Sequence, residues 1–141
     1  MRHGHTLLEL TLVLAVTGLT LGIVLPRANA LRDSLAVDQV AREVVTAHRR
    51  ARHAAIFGSR PIVLTVSADS LAYRPVGAAS RLWWAPGPSA NGITLVGPPR
   101  QITFSPVGIS TGLSNATFRL LRGSASRSVI VSRLGRVRVT P

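Results

Sequence analysis

The sequence predicts an α+β fold: one long, kinked N-terminal helix, first transmembrane and then amphipathic, packed on a small antiparallel β-rich head. Three observations predict it. Residues 7–25 form an almost wholly apolar run. Residues 31–55 carry apolar side chains at helical spacing. Residues 58–141 break into short β-prone runs separated by Gly and Pro.

Composition sets the frame for these elements. A chain of 141 residues has room for one small domain. Hydrophobic residues make up 46% and charged residues only 16%, well below the ~25% of a typical soluble domain. That balance suggests that part of the chain lies outside water. The formal net charge is +12, from 17 basic and five acidic residues, and every basic residue is Arg. Cys is absent, which excludes a disulfide framework, a thiolate nucleophile and a Cys-ligated metal.

The apolar run from Leu7 to Leu25 contains no basic side chain and one acid, Glu9. As a helix it is roughly 28 Å long, against about 30 Å for a bilayer core. A secretory signal is one reading, because Ala28-Asn29-Ala30 has the form of a cleavage site. A plain membrane anchor is another. Neither accounts for Glu9, since an acid inside a membrane helix costs about 2.5–3.5 kcal/mol unless it is paired.

The flanking residues do account for it. Met1-Arg2-His3-Gly4 is short and basic, and His5-Thr6-Leu7-Leu8-Glu9-Leu10 opens the run. This resembles the class III signal of type IV pilin-like proteins, a Gly followed by a Phe-Thr-Leu-Ile-Glu-Leu type motif. The resemblance implies that a prepilin peptidase cuts between Gly4 and His5 and methylates the new N-terminus. His5 stands where Phe is usual in that family. Glu9 becomes the fifth residue of the mature chain, where the family pairs it with the terminal amine of a neighbouring subunit. Pro26 falls where pilins commonly carry a kinking Pro.

Beyond Pro26, Leu31, Leu35, Val40, Val44, Ala47, Ala51 and Ala55 recur at three- to five-residue spacing. Charged and polar residues fill the remaining surface, among them Arg42, Glu43, Arg49, Arg50 and His53. The pattern is an amphipathic helix with one apolar stripe. Asp38 and Arg42 stand at i,i+4 in favourable order. Gly58 and Pro61 stop the helix. The expected organisation is a leader over residues 1–4, a helix over 5–57 with its membrane span at about 7–25, and a head over 58–141.

In the head, β-prone runs lie at Ile62–Val66, Ser70–Pro75, Leu82–Trp84, Ile93–Val96, Gln101–Ser105, Thr117–Arg122, Ser128–Ser132 and Arg136–Thr140. Short strands at such spacing predict an antiparallel sandwich or sheet pair. The helix stripe supplies the layer that so small a head lacks. Pro86 to Gly92 reads as a mobile loop. Of the adjacent Trp83 and Trp84, one is expected in the core, because neighbouring strand residues face opposite sides.

The C-terminal segment carries a narrower resemblance. Ile102-Thr103-Phe104-Ser105-Pro106-Val107-Gly108, Phe118-Arg119-Leu120, Val129-Ile130-Val131-Ser132 and Gly135-Arg136-Val137-Arg138 are similar to the GspH/FimT branch of pilin-like proteins. Arg52-His53-Ala54-Ala55-Ile56 resembles that branch's helix end. The branch includes minor pseudopilins of type II secretion and minor type IV pilins, some of which bind DNA during natural transformation.

No catalytic constellation emerges, so the chain is not expected to be an enzyme. The acids are Glu9, Asp33, Asp38, Glu43 and Asp69, which leaves the head without paired carboxylates. Lys is absent, and with it a P-loop. His48 and His53 are five apart, poor spacing for one metal face, and read as solvated helix residues. No metal or other cofactor is expected.

Charge in the head is more informative. After Asp69 there is no acid in 72 residues, against nine Arg. That balance reads either as a solvated surface in an Arg-biased chain or as an anion-binding face, most obviously for nucleic acid. Arg136 and Arg138 alternate with Val137 and Val139, which puts both Arg on one strand face, roughly 7 Å apart, and both Val toward the core. Gly135-Arg136-Val137-Arg138 resembles the Gly-Arg-x-Arg motif associated with DNA binding in FimT-type pilins. Arg136, Arg138, Arg133 and Arg119 are the candidate DNA-binding residues.

The resemblance implies a minor pseudopilin of a type II secretion pseudopilus, GspH-like, assembling through its N-terminal helix. The alternative it implies is a FimT-like minor pilin that binds DNA through a basic C-terminal face. Expected partners are other pilin or pseudopilin subunits, the prepilin peptidase and the inner membrane, with DNA in the alternative. The chain is expected to cross the bacterial inner membrane once, with its head in the periplasm.

Overall fold

A computed structural model of the chain describes residues 6–111, 115–132 and 134–141. A single α-helix, α1, spans Leu7–Phe57. Internal packing divides the chain into two compact units, one ending at Arg32 and the other Asp33–Pro141, and α1 runs through both.

The first unit is an apolar helix. Its best 18-residue window has a mean hydropathy of 2.2 and no buried residue, and among the described residues α1 is the one helix long and apolar enough to cross a membrane. Three of its Thr hydroxyls are satisfied locally. The hydroxyls of Thr11, Thr17 and Thr20 donate to the carbonyls of Leu8, Val13 and Val16 at 2.8, 2.7 and 3.0 Å, as apolar surroundings require. At the start of α1 the backbone N–H of Glu9 donates to the Thr6 hydroxyl at 3.3 Å, which caps the helix. Thr6-Leu7-Leu8-Glu9 therefore has the spacing of a capping box. The helix continues through Pro26, whose ring removes the N–H that would reach the Gly22 carbonyl.

In the second unit the buried face of α1 comprises Val37, Val40, Ala41, Val44, Ala47, His48, Ala51 and Ala55. These recur every three to four residues, so they form one stripe. The stripe begins at Val37, not at Leu31 as expected: Leu31 and Leu35 are 61% and 57% exposed. At 100° per residue, Leu35 points some 200° away from Val37 and cannot share its face. The helix stops at Phe57, as the Gly-Pro signals predict. The left-handed residue after it is Ser59 (φ 45°), however, and Arg60 N–H closes the end on the Ala55 carbonyl at 3.3 Å.

The head holds two antiparallel sheets. The first comprises β1 (Ile62–Val66), β2 (Ser70–Pro75), β3 (Trp83–Pro86), β5 (Arg100–Phe104) and β6 (Ser110–Thr111), in the order β3-β2-β1-β5-β6. The second comprises β4 (Thr94–Val96), β7 (Ala116–Arg122), β8 (Ala125–Val131) and β9 (Val137–Thr140), in the order β4-β7-β8-β9. β1 and β2 fall where the residue pattern placed them. β8 starts three residues before its expected Ser128, because the Gly123 turn (φ 54°) brings Arg122 opposite Ala125. β6 was not foreseen, since two residues leave no pattern. The Pro86–Gly92 segment is no irregular loop: Pro88–Asn91 forms a 3-10 turn. The Ser89 hydroxyl ties this turn to Asp69 at 3.0 Å, and the Gly87 N–H reaches the Asp69 carbonyl at 3.0 Å.

The stripe of α1 and the inner faces of both sheets form one core cluster. The helix supplies small side chains, and the sheets supply Phe104, Phe118, Ile62, Leu64 and Leu120, all fully buried. Two ion pairs reinforce this packing. Arg122 Nε meets Asp33 at 2.9 Å, and Arg127 Nε meets Asp38 at 2.6 Å. Asp38 thus pairs across the fold with Arg127, and not within the helix with Arg42 as expected. A β8 side chain facing the helix, half shielded from water, is a better partner than an exposed one on the helix surface. Asp38→Ala and Arg127→Ala are each expected to lower stability by about 1 kcal/mol. A double-mutant cycle of thermal unfolding should show the double variant losing less than the sum, and strict additivity would show that the pair contributes nothing.

Candidate nucleic-acid interface

β9 lies at the edge of the second sheet and, among the described residues, pairs only with β8. Val137 and Val139 sit opposite Val131 and Val129, which are fully buried, so both Val lie on the inner face. Val137 packs against the core, whereas Val139 is 40% exposed because no further strand covers the edge. Arg136 and Arg138 are both exposed.

The turn before β9 is built around Gly135. It takes φ 73°, and its N–H donates to the Ser132 carbonyl at 3.0 Å. The Arg136 N–H reaches the Ser132 hydroxyl at 3.2 Å. A second left-handed glycine, Gly108 (φ 80°), packs beside it: a Cβ on Gly108 would fall 2.8 Å from Ile56 Cδ1, and one on Gly135 would fall 3.4 Å from the Gly108 carbonyl oxygen. Arg52 Nε donates to that same carbonyl at 2.8 Å. Two glycine turns therefore seat against the last two turns of α1. Gly135 serves the backbone, and the Arg that follow it project from the edge it creates.

Between α1 and this edge runs an open groove of about 660 Å³. His48, Arg49, Arg52, His53 and Ile56 line one side, and Gly135, Arg136, Val137 and Arg138 the other. Four Arg residues line the groove, and among the described residues no acid does. Unlike Arg122 and Arg127, none of the four has a carboxylate partner within ion-pair distance among the described residues. Such a cluster of like charge in a concave site attracts anions.

The structure thus brings Arg136 and Arg138 together and adds Arg49 and Arg52, which sequence reasoning missed. The signal was a basic flank on the helix, but nothing local shows that β9 lies beside it. Arg119 is exposed on the outer face of the second sheet, opposite Ser128, with β8 between it and β9. It shares the outer face with Arg138, which sits opposite Ile130. Gly4, His5 and Arg133 lie outside the described residues.

His48 reverses the expectation of a solvated residue. It is 2% exposed, lies on the core stripe and meets Phe104 edge to face at 4.9 Å. Neither ring nitrogen has a hydrogen-bond partner among the described residues. Burial, then the charges of Arg52 and Arg49, push its pKa down to about 4. The period of the helix carries His48 to the stripe beside Ala47, where only its neutral form is tolerated. His53 is exposed, as expected, and stacks on Phe57 at 5.9 Å. Trp83 is half buried, stacked on Tyr73 at 5.6 Å with Arg50 over its ring, while Trp84 is 51% exposed, so one of the pair does pack inward.

A long helix, apolar and then amphipathic, laid on antiparallel sheets is the architecture of a type IV pilin-like subunit. Two crystal structures of the type IV minor pilin FimU from Pseudomonas aeruginosa share this fold. They align at TM-scores of 0.61 and 0.59 with 20% and 19% identity, over 74% of this chain and 88% and 92% of theirs. The family model described as type II transport protein GspH matches residues 40–135. The pilin-like protein PilA1 of Thermus thermophilus is 33% identical over 98% of this chain and 98% of its own length. The chain belongs to the GspH family of pilin-like proteins. That family is one of structural subunits, which assemble with other pilins or pseudopilins.

His48 makes stability depend on pH. Its pKa is about 4 when folded and about 6.5 in an unfolded chain, so the unfolded state binds the extra proton between those values. This contribution is whole above pH 6.5 and falls away as pH drops toward 4, by about 3 kcal/mol in all. His48→Leu should leave the melting temperature at pH 7.5 equal or higher and flatten its decline between pH 6.5 and 4. An unchanged decline would place the acid sensitivity elsewhere.

Proposed function

We propose that this chain is a minor subunit of a type IV pilus-type filament and that its basic groove holds the phosphate backbone of DNA. The observation that carries the reading is the meeting of Arg49, Arg52, Arg136 and Arg138 in one concave surface free of acids. Arg fits this task because its planar fork meets phosphate oxygens two at a time. The full-length likeness to a pilin-like protein supports placement in a pilus-type assembly.

The rest of the chain fits subunit assembly. A prepilin peptidase cuts between Gly4 and His5 and methylates the new terminus. The apolar first part of α1 holds the subunit in the inner membrane, with the head in the periplasm, until it is drawn into the filament. There Glu9 sets the register by meeting the terminal amine of a neighbour, a pairing that offsets the cost of a carboxylate in an apolar setting.

A second reading is a minor pseudopilin of a type II secretion system. The description of the matching family model favours it. In that case the groove receives an acidic surface of an adjacent subunit.

DNA binding by the full-length chain in detergent, measured over a salt series, separates the two. Phosphate contact predicts a steep linear fall of log affinity with log salt, at about −0.7 to −0.9 per phosphate. Arg136→Ala with Arg138→Ala should lower affinity and make that slope shallower by about 1.5. Absence of binding at low salt would remove the DNA reading and leave the pseudopilin one.

A further inference from the structure

We propose that the groove takes single-stranded DNA in preference to duplex, with Phe57 as the platform on which an unpaired base stacks. The inference rests on the DNA reading of the groove given above.

Phe57 is the last residue of α1 and is 83% exposed, although it is a large apolar ring. It is held in place: one side meets His53, one turn earlier, with ring centres 5.9 Å apart and planes 28° from parallel. His53 is itself part of the groove wall, between Arg52 and Ile56. At 100° per residue, Arg49, Arg52, His53, Ile56 and Phe57 fall within one flank of roughly 140°. That flank rises about 12 Å from Arg49 to Phe57. It is basic where it faces β9 and aromatic where α1 ends.

The two halves of the flank ask different things of a ligand. Guanidinium groups hold phosphates whether or not the bases are paired. An open ring face is of use only to a base with a free face of its own. In a duplex each base is covered above and below by its neighbours and its edge is paired. In a single strand the base can swing out from the backbone onto an aromatic ring, and such stacking is tolerant of sequence. A basic groove whose wall includes His53, with Phe57 stacked on that ring just beyond the groove, is therefore matched to an unpaired strand.

The test compares one mixed-sequence strand with the same strand annealed to its complement, bound to the full-length chain in detergent. Phe57→Ala and Phe57→Trp accompany the unaltered chain. Because Phe57 is exposed and ends its helix, neither change should disturb folding. Single-strand affinity should exceed duplex affinity. Phe57→Ala should lose roughly five- to hundredfold of it, leave duplex affinity unchanged, and be rescued by Phe57→Trp. Duplex binding as tight as single-strand binding, or a Phe57→Ala variant equal to the unaltered chain, would overturn the proposal while leaving the phosphate groove intact. Binding of neither form would remove the DNA reading and this inference together.

Discussion

The head is organised by burial of one helical stripe. Val37, Val40, Ala41, Val44, Ala47, Ala51 and Ala55 are all but inaccessible, and four of the seven are Ala. Small side chains let the α1 backbone approach the strands closely, and the sheets fill the space with Phe104, Phe118 and Leu120. Neither sheet has a complete core without that layer, since a head of this size buries too little apolar surface alone. The same geometry carries His48 inside. An imidazole with no hydrogen-bond partner among the described residues is a cost at that position, and it is met by keeping the ring neutral and against Phe104.

Once the stripe is buried, successive stretches of the helix acquire different uses. In the earlier stretch Asp33 and Asp38 meet Arg122 and Arg127, so that two acids of the helix neutralise two of the head's Arg. Further along, Arg49, Arg52 and His53 reach the edge of β9, where Gly108 and Gly135 allow two turns to seat against the helix end. Positive charge is balanced along the first stretch and left unopposed along the second. The groove is thus a consequence of which strands α1 meets along its length, not of a local motif alone. Gly135-Arg136-Val137-Arg138 provides half of it.

What the sequence revealed and what it hid follow one physical rule. Features written within a few residues were legible: the apolar run, the stop after Phe57, β1 and β2 to the residue, and the inward packing of one Trp. Features that depend on distant segments meeting were not. Arg127 lies 89 positions from Asp38, so i,i+4 spacing drew attention to Arg42 instead. Arg49 and Arg52 looked like any solvated flank until β9 was seen beside them. His48 could have been found, because it sits seven residues before Ala55 and four after Val44 on the stripe. Its polarity concealed what its period announced. Leu31 and Leu35 misled in the opposite way, as large apolar residues off the buried face.

The most direct test of this dependence is native-state hydrogen exchange on the full-length chain. If the helix stripe is the layer that completes both sheets, the amides of residues 37–55 should exchange at the same free energy as the central strands β1 and β7, through one global opening. Helix amides that exchange at a much lower free energy, while β1 and β7 stay protected, would show two sheets that hold together without the helix and would contradict the account.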